Sequence, residues 1–240
     1  MLKNISRPAK FQLMNEFFLK GAEAILFDLE GTLVSFQWNL EGAVRDTLET
    51  LTGLGFQVER LRGKKYSILM IEAMKIAPEY GQSPEEVRTK IGAIYDRYDE
   101  DAFTRWDLRP GAREFLYGLK KKGIKCGLVT NVGSKVLRKG LLKLDIDHFF
   151  EVVVSRNDVQ APKPSGEGMM LALDRLQVKR DNAFYVGDSL DDIHAAKEAG
   201  MKVMIMMGGD SPKEDLLSAK PDFWVNDFGE LIAFLRKGAP

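Results

Sequence analysis

The chain of 240 residues is long enough for one large or two modest domains with a substantial buried core. Its 35 basic residues balance 35 acidic residues, so no overall field attracts nucleic acid or an anionic membrane. The single cysteine, Cys126, excludes an intrachain disulfide, and with only two histidines in the chain it also excludes a zinc site of the Cys/His type. Any bound metal is therefore expected to be a hard cation with oxygen ligands.

The N-terminal segment lacks the composition of a signal peptide. Polar residues such as Lys10, Asn15 and Glu16 interrupt its apolar positions, whereas a signal peptide contains a continuous apolar region. No apolar run in the chain approaches the length needed to span a membrane. We expect a cytoplasmic monomer or homodimer without membrane or nucleic-acid partners, in which residues 1–22 form an additional amphipathic helix.

Six short apolar segments predict β-strands. They are Ala24–Phe27, Lys125–Val129, Glu151–Ser155, Ala183–Val186, Val203–Met207 and Phe223–Val225. Each is a continuous apolar run, which is typical of strands that are covered on both faces. Helical patterns separate most of these segments. The alternation predicts an α/β fold with a parallel sheet and right-handed crossovers.

Residues 36–106 interrupt this alternation, because they contain helical patterns and no convincing strand. One of the helices is expected to begin with Ser83 as N-cap, Pro84 in the first helical position and Glu86 completing a capping box. An all-helical insert directly after the first strand is expected to form a small cap over the carboxyl edge of the sheet. The predicted domains are a core of residues 1–35 and 107–240 and a helical cap of residues 36–106.

Two acidic residues, Asp28 and Glu30, follow the first predicted strand and precede a Gly-Thr turn. Acids at positions i and i+2 of extended backbone point the same way. Open α/β sheets bind ligands at the carboxyl ends of their strands, where this pair is expected to lie. A pair of surface acids in a turn is the structural alternative.

Three further strand ends offer groups that suit a phosphate. These are Thr130-Asn131 after the second strand, Lys163 between two prolines after the third, and Asp188, Ser189 and Asp192 after the fourth. Each group also has a structural interpretation: a loop start, a solvated lysine, and a helix cap formed by Ser189 with Asp192. Four suitable strand ends in one chain favour a common phosphate site.

In this order, the four segments resemble the sequence motifs of the haloacid dehalogenase superfamily of phosphohydrolases. The matching residues are Asp28-x-x-Gly31-Thr32, Thr130-Asn131, Lys163 and Gly187–Asp192. The resemblance extends from Ala24 to the C-terminus, and the helical insert resembles the α-helical cap of that superfamily. The pattern of Asp192–Gly200 is most similar to the phosphoglycolate-phosphatase-like branch. The resemblance implies a three-layer Rossmann-like core with an inserted all-α cap.

The resemblance also implies roles for the motif residues. Asp28 would be the nucleophile of a Mg²⁺-dependent phosphatase that forms an aspartyl-phosphate, and its substrate would be a small phosphorylated metabolite such as phosphoglycolate. Asp28, Asp188 and the Glu30 carbonyl would bind Mg²⁺, and Lys163, Thr130 and Asn131 would bind the phosphate. Asp192 and Ser189 would lie behind these groups and help to orient them. A phosphomutase and a non-catalytic member that binds phosphate or a protein partner are the alternatives.

One residue departs from the pattern, because most phosphatases of this superfamily have Asp where this chain has Glu30. The resemblance implies that Glu30 protonates the leaving oxygen and later activates water, and a carboxylate here argues against dehalogenase chemistry. The candidate substrate contacts are Gln37, Trp38 and Arg45 near the first junction of the insert, and Arg105 and Trp106 near the second. Packing at a domain junction is the alternative for each of them.

Overall fold

A single parallel sheet of six strands forms the centre of the protein, of which the computed structural model describes residues 21–237. The strands are β1 (Ala24–Phe27), β2 (Lys125–Val129), β3 (Val152–Val154), β4 (Ala183–Gly187), β5 (Lys202–Met206) and β6 (Phe223–Val225). Their order across the sheet is β3-β2-β1-β4-β5-β6, and every pair of neighbours is parallel. The predicted α/β fold with a parallel sheet is confirmed.

Nine α-helices lie in the described part of the chain. They are α1 (Leu40–Gly53), α2 (Tyr66–Ile76), α3 (Pro84–Phe103), α4 (Ala112–Lys121), α5 (Ser134–Lys143), α6 (Glu167–Leu176), α7 (Leu190–Glu198), α8 (Lys213–Ser218) and α9 (Phe228–Lys237). The first three belong to the helical insert, and the other six follow strands of the sheet or precede them. Among residues 21–237 no helix is both long and apolar enough to cross a membrane.

Three of the predicted strands differ from the structure in their bounds. The third strand is shorter than Glu151–Ser155 because both of its predicted ends have other roles. The Glu151 carboxylate accepts a hydrogen bond from the Cys126 amide at 2.7 Å, and Ser155 caps a short 3₁₀ helix. The fourth strand extends one residue further, to Gly187, and the fifth begins and ends one residue earlier than predicted.

Side chains of the strands alternate between two apolar layers. In β1, Ile25 and Phe27 pack on one face with helices α4, α5 and α9, whereas Ala24 and Leu26 pack on the other with α6, α7 and α8. Helices therefore cover both faces of the sheet, which explains why its strands are continuously apolar. The expected three-layer arrangement is confirmed.

The register of the central strands brings their carboxyl ends together. Phe27, the last residue of β1, pairs with Leu128 on one side and Val186 on the other. The chain then leaves all three strands at the same edge, and the Asp28 amide still donates to the Val186 carbonyl at 2.9 Å. Residues that follow β1, β2 and β4 are thus close neighbours.

The helical insert contains its own apolar cluster, formed by residues between Phe36 and Ala102. Helix α3 begins where the sequence predicts, with Pro84 as its first residue and the Ser83 side chain accepting from the Glu86 amide, although the return bond of the predicted capping box is not formed. The start of α1 was not predicted, and there the Asn39 side chain accepts from the Gly42 amide at 3.0 Å. Trp106, which closes the insert in sequence, packs instead with the layer of α4, α5 and α9. The amphipathic helix expected over residues 1–22 lies outside the described residues, apart from its last two.

The single cysteine provides a probe of this packing. Cys126 is buried in β2, and burial raises the pKa of its thiol to about 12. Because the thiolate is the reactive form, we expect no reaction with a thiol reagent at pH 8 in the native protein and one modified thiol per chain after unfolding in guanidinium chloride. Rapid modification of the folded protein, measured by mass spectrometry, would contradict this placement of β2.

Candidate active site

A buried lysine joins two of the predicted acids at the carboxyl edge of the sheet. The Lys163 Nζ donates to Asp28 Oδ1 at 2.7 Å and to Asp192 Oδ1 at 2.6 Å. Burial lowers the pKa of Lys163, but the charges of Asp192 and Asp28 outweigh burial and raise it. The ammonium therefore stays charged and compensates part of the negative charge of the two carboxylates.

The side chains of Asn131, after β2, and Tyr185, in β4, fix the position of this lysine. The Asn131 amide bonds both backbone groups of Lys163, with its Nδ2 donating to the carbonyl and its Oδ1 accepting from the N–H, each at 2.9 Å. The Tyr185 hydroxyl accepts from Lys163 Nζ at 2.8 Å and lies 2.9 Å from both Asp192 Oδ1 and the Val129 carbonyl. Sequence reasoning missed Tyr185, although a tyrosine among the apolar residues of β4 indicates that its hydroxyl needs a buried partner.

Asp192 supports the lysine while it caps helix α7. Its Oδ2 accepts from the amides of Asp188 and Ser189 and from the Ser189 hydroxyl, and the Asp192 amide donates back to Ser189 Oγ. This capping box was the structural alternative for the two residues, and it exists together with the bond to Lys163. Burial alone would raise the pKa of Asp192, but Lys163 and the other donors lower it.

Asp188, at the end of β4, is held from two loops. Thr32 Oγ1 donates to its Oδ1 at 2.8 Å, and the Asp210 amide donates to its Oδ2 at 2.7 Å. A Cβ atom on Gly31 would lie 2.1 Å from this carboxylate, and one on Gly209 would lie 2.0 Å from it. The close approach of both loops therefore requires glycine, and at Gly31 a φ of +85° requires it as well.

Asp28, Asp188 and Asp192 form a buried group, here called the acid cluster, with carboxylate oxygens within 4.8 Å of one another. Burial raises the pKa of Asp28 to about 6 and that of Asp188 well above its ordinary value. The acid cluster contains three carboxylates for the single ammonium of Lys163, and all of its donors are hard oxygens, so a divalent cation such as Mg²⁺ fits it. Asp28 and Asp188 are the suitable ligands, because Asp192 Oδ2 already accepts three hydrogen bonds and its Oδ1 binds Lys163, whereas each oxygen of Asp188 accepts one hydrogen bond.

Glu30 lies outside the acid cluster and is fixed by the second junction of the insert. Trp106 Nε1 donates to Glu30 Oε1 at 2.8 Å, and the backbone of Gln37 also donates to this carboxylate. Burial raises the pKa of Glu30 to about 8, against the effect of the Trp106 hydrogen bond. The metal ligand predicted at this residue is its backbone carbonyl, and the side chain is engaged by Trp106.

A cleft of about 520 Å³, including space open to solvent, lies above these groups. It is lined by Asp28, Glu30, Phe36, Trp38, Tyr66, Asp99, Thr130, Asn131, Val132, Lys163, Asp188, Ser189, Asp191 and Asp210. Of the predicted substrate contacts, only Trp38 lines the cleft. The Gln37 carbonyl instead accepts from Arg105, which also pairs with Asp101. Arg45 lies on the solvent side of α1, where it is 64% exposed and pairs with Asp46 at 3.1 Å.

A second buried ion pair joins the insert to the core beside the cleft. Asp99 of α3 accepts from Trp38 Nε1 at 2.9 Å, from the Gly133 amide at 2.8 Å and from Arg156 at 3.0 Å. Arg156 also donates to the Asn131 carbonyl at 2.6 Å. Sequence reasoning missed this pair, although Asp99 lies four residues after Tyr95 on the buried face of α3, where an acid requires a partner.

Known proteins resemble the chain over most of its length. Residues 25–206 match the family model described as haloacid dehalogenase-like hydrolase. A phosphoglycolate phosphatase of Salmonella choleraesuis is 32% identical over 237 residues, which cover 90% of this chain and 94% of that protein. A candidate pyrophosphatase, PpaX, of Caldanaerobacter subterraneus is 28% identical over 225 residues, with 89% and 94% covered. CbbY from Rhodobacter sphaeroides, solved in complex with phosphate, aligns with a TM-score of 0.62 at 25% identity, covering 90% of this chain and 99% of CbbY.

The hydroxyl of Tyr185 can be tested apart from any activity. Tyr185→Phe keeps the ring in the core but removes a partner from Lys163 and from the Val129 carbonyl, so we expect a loss of about 1–2 kcal/mol in the free energy of unfolding. Urea denaturation measures this loss. Tyr117→Phe is the matched control, because the Tyr117 side chain is exposed, and it should change stability little. Equal stability of both variants would contradict the hydrogen-bonded role of Tyr185.

Proposed function

The chain belongs to the haloacid dehalogenase-like hydrolase family, and on this premise we propose that it is a Mg²⁺-dependent phosphatase of a small phosphorylated metabolite. The observation that carries the proposal is the contact of Asp28 with Lys163 at 2.7 Å beside Asp188. A carboxylate that attacks a phosphate dianion must approach a group of its own charge, and an adjacent fixed ammonium reduces this repulsion. A module that only bound phosphate would need no nucleophile there.

In the first step the Asp28 carboxylate attacks phosphorus, so that an Asp28 O–P bond forms while the bond from phosphorus to the ester oxygen breaks. Glu30 donates its proton to the departing oxygen, which leaves as an alcohol. Lys163 remains in contact with Asp28 and offsets negative charge on the phosphoryl group. Thr130, which lines the cleft, would donate to a phosphate oxygen, whereas the Asn131 side chain would act by fixing the backbone of Lys163.

In the second step water attacks the aspartyl-phosphate. Glu30, now ionised, accepts the proton of this water, the O–P bond to Asp28 breaks, and inorganic phosphate is released with the Asp28 carboxylate restored. Trp106 keeps the Glu30 carboxylate in one position through both proton transfers. Mg²⁺, when bound by Asp28, Asp188 and the Glu30 carbonyl, would neutralise charge on the phosphoryl group and the acid cluster.

The helical insert, residues 36–106, acts in this proposal as a cap that selects the substrate. Its own apolar cluster supports an independent packing unit, and it contributes Phe36, Trp38, Tyr66 and Asp99 to the lining of the cleft. The core supplies the reacting groups from the edge of the sheet. The reacting groups and the aromatic surface that meets the leaving group would thus come from different segments of the chain.

The central test combines metal and nucleophile. We expect hydrolysis of p-nitrophenyl phosphate that requires added Mg²⁺, is abolished by excess chelator and is lost in Asp28→Asn. The matched control is Asp181→Asn, because Asp181 is 87% exposed and should retain full activity. Full activity of Asp28→Asn would refute the proposal. Phosphoryl transfer to an added sugar phosphate without release of inorganic phosphate would indicate a phosphomutase instead.

Glu30 is tested by comparing good and poor leaving groups. Glu30→Gln keeps the length of the side chain and its backbone carbonyl, but it removes the proton donor and base. Hydrolysis of alkyl phosphates should fall by roughly 10²-fold or more. An activated aryl phosphate needs no proton on its leaving oxygen, so the first step should persist and aspartyl-phosphate should accumulate, as measured by the release of one equivalent of nitrophenol in a burst. Unchanged rates on both substrate types would exclude an acid–base role for Glu30.

A further inference from the structure

The helical insert presents aromatic rings to the cleft. The rings of Trp38 and Tyr66 pack against each other with centroids 4.5 Å apart, and Phe36 lines the same cleft. Tyr66 lies near the acid cluster, since its hydroxyl bonds to the Asn131 side chain and the charge of Asp28 acts on it. The leaving group of a phosphate ester bound at Asp28 would therefore meet apolar ring surface.

Carboxylates accompany these rings. Asp191, at the start of α7, accepts from the Ser67 hydroxyl at 2.6 Å and lines the cleft together with the half-buried Asp210. Lys65 lies close enough for its charge to act on both of these acids. Carboxylate oxygens accept hydrogen bonds from hydroxyl groups, whereas they repel a carboxylate or a second phosphate.

Acids outnumber cations on the wall of the cleft. Its lining residues include six acids and one cation, Lys163, which already binds Asp28 and Asp192. Beside the cleft, Arg156 contacts Asp99 at 3.0 Å, and the exposed Lys65, which is not a lining residue, acts on Asp191 and Asp210 through its charge. An anionic leaving group could gain Lys163 or Arg156 only by taking it from a carboxylate, which would then remain in the cleft with excess negative charge.

We infer that the leaving group of the natural substrate carries hydroxyl groups and no negative charge, as in the phosphate ester of a sugar or polyol, and is not a phosphorylated carboxylic acid. Its hydroxyls would donate to Asp191 and Asp210, and its C–H surface would pack on Trp38 and Tyr66. This inference rests on the proposed phosphatase function.

Two pairs of probes of matched size test the inference. Ethylene glycol monophosphate and phosphoglycolate differ only in a hydroxymethyl group against a carboxylate, and glycerol 3-phosphate and 3-phosphoglycerate differ in the same way. With the full chain and Mg²⁺, kcat/KM should be at least about tenfold higher for the alcohol of each pair, since a single unfavourable charge contact is of that size or larger. Hydrolysis of p-nitrophenyl phosphate in the same experiment reports on the proposed function separately.

A charge variant separates electrostatics from shape. Asp210→Asn should shift the ratio of kcat/KM toward the carboxylate member of each pair by several-fold, whereas Asp181→Asn, at an exposed site, should leave the ratio as it is. If p-nitrophenyl phosphate is hydrolysed, three results would overturn the inference and leave the phosphatase function intact. They are equal kcat/KM values within both pairs, values too low to measure for all four compounds, and a preference for the carboxylates. Loss of aryl phosphate hydrolysis would instead refute the proposed function.

Discussion

The ammonium of Lys163, shared between the buried carboxylates of Asp28 and Asp192, is the contact around which the site is organised. A buried charge is tolerated only when it is paired and hydrogen-bonded, so its neighbours must be placed accurately. Asn131, after the end of β2, fixes the backbone of the lysine, and Tyr185, within β4, fixes its Nζ. The parallel register of β1, β2 and β4 makes this possible, because it delivers all of these groups to one edge.

The surplus of negative charge explains other features of the same edge. Three carboxylates face one ammonium, so the acid cluster suits a divalent cation and an arriving phosphoryl group that the cation would bind. Glycine at positions 31 and 209 allows two loops to reach Asp188, and Thr32 and the Asp210 amide bond its oxygens. The helical insert adds aromatic rings and Asp99 above, and Asp191 and Asp210 of the core add further acids. In the proposed function, the chemistry of the phosphate and the recognition of the leaving group would therefore use different physical interactions.

The sequence predicted the parts of this arrangement that depend on local pattern. Continuous apolar strands followed by Asp28, Thr130 or Asp188 place polar groups at one sheet edge, because parallel strands share their carboxyl ends. It could not predict contacts between distant residues, such as Trp106 with Glu30 or Asp99 with Arg156, because nothing local specifies which partner a buried polar group meets. For a related reason it could not place Arg45, because the rotation of α1 decides whether its side chain faces the cleft or solvent.

Because of the ion pair between Asp99 and Arg156, the junction of insert and core responds differently to a substitution and to separation of the two parts. Replacing Arg156 would leave the buried Asp99 carboxylate without its cation, which typically costs about 3–5 kcal/mol, whereas replacing Asp99 would leave Arg156 paired with Asp96. Moving α3 away from the core would instead let water hydrate both ions at once, and hydration would replace most of the lost attraction. The joint is thus intolerant of substitution at Arg156 and comparatively easy to part as a whole when solvent enters.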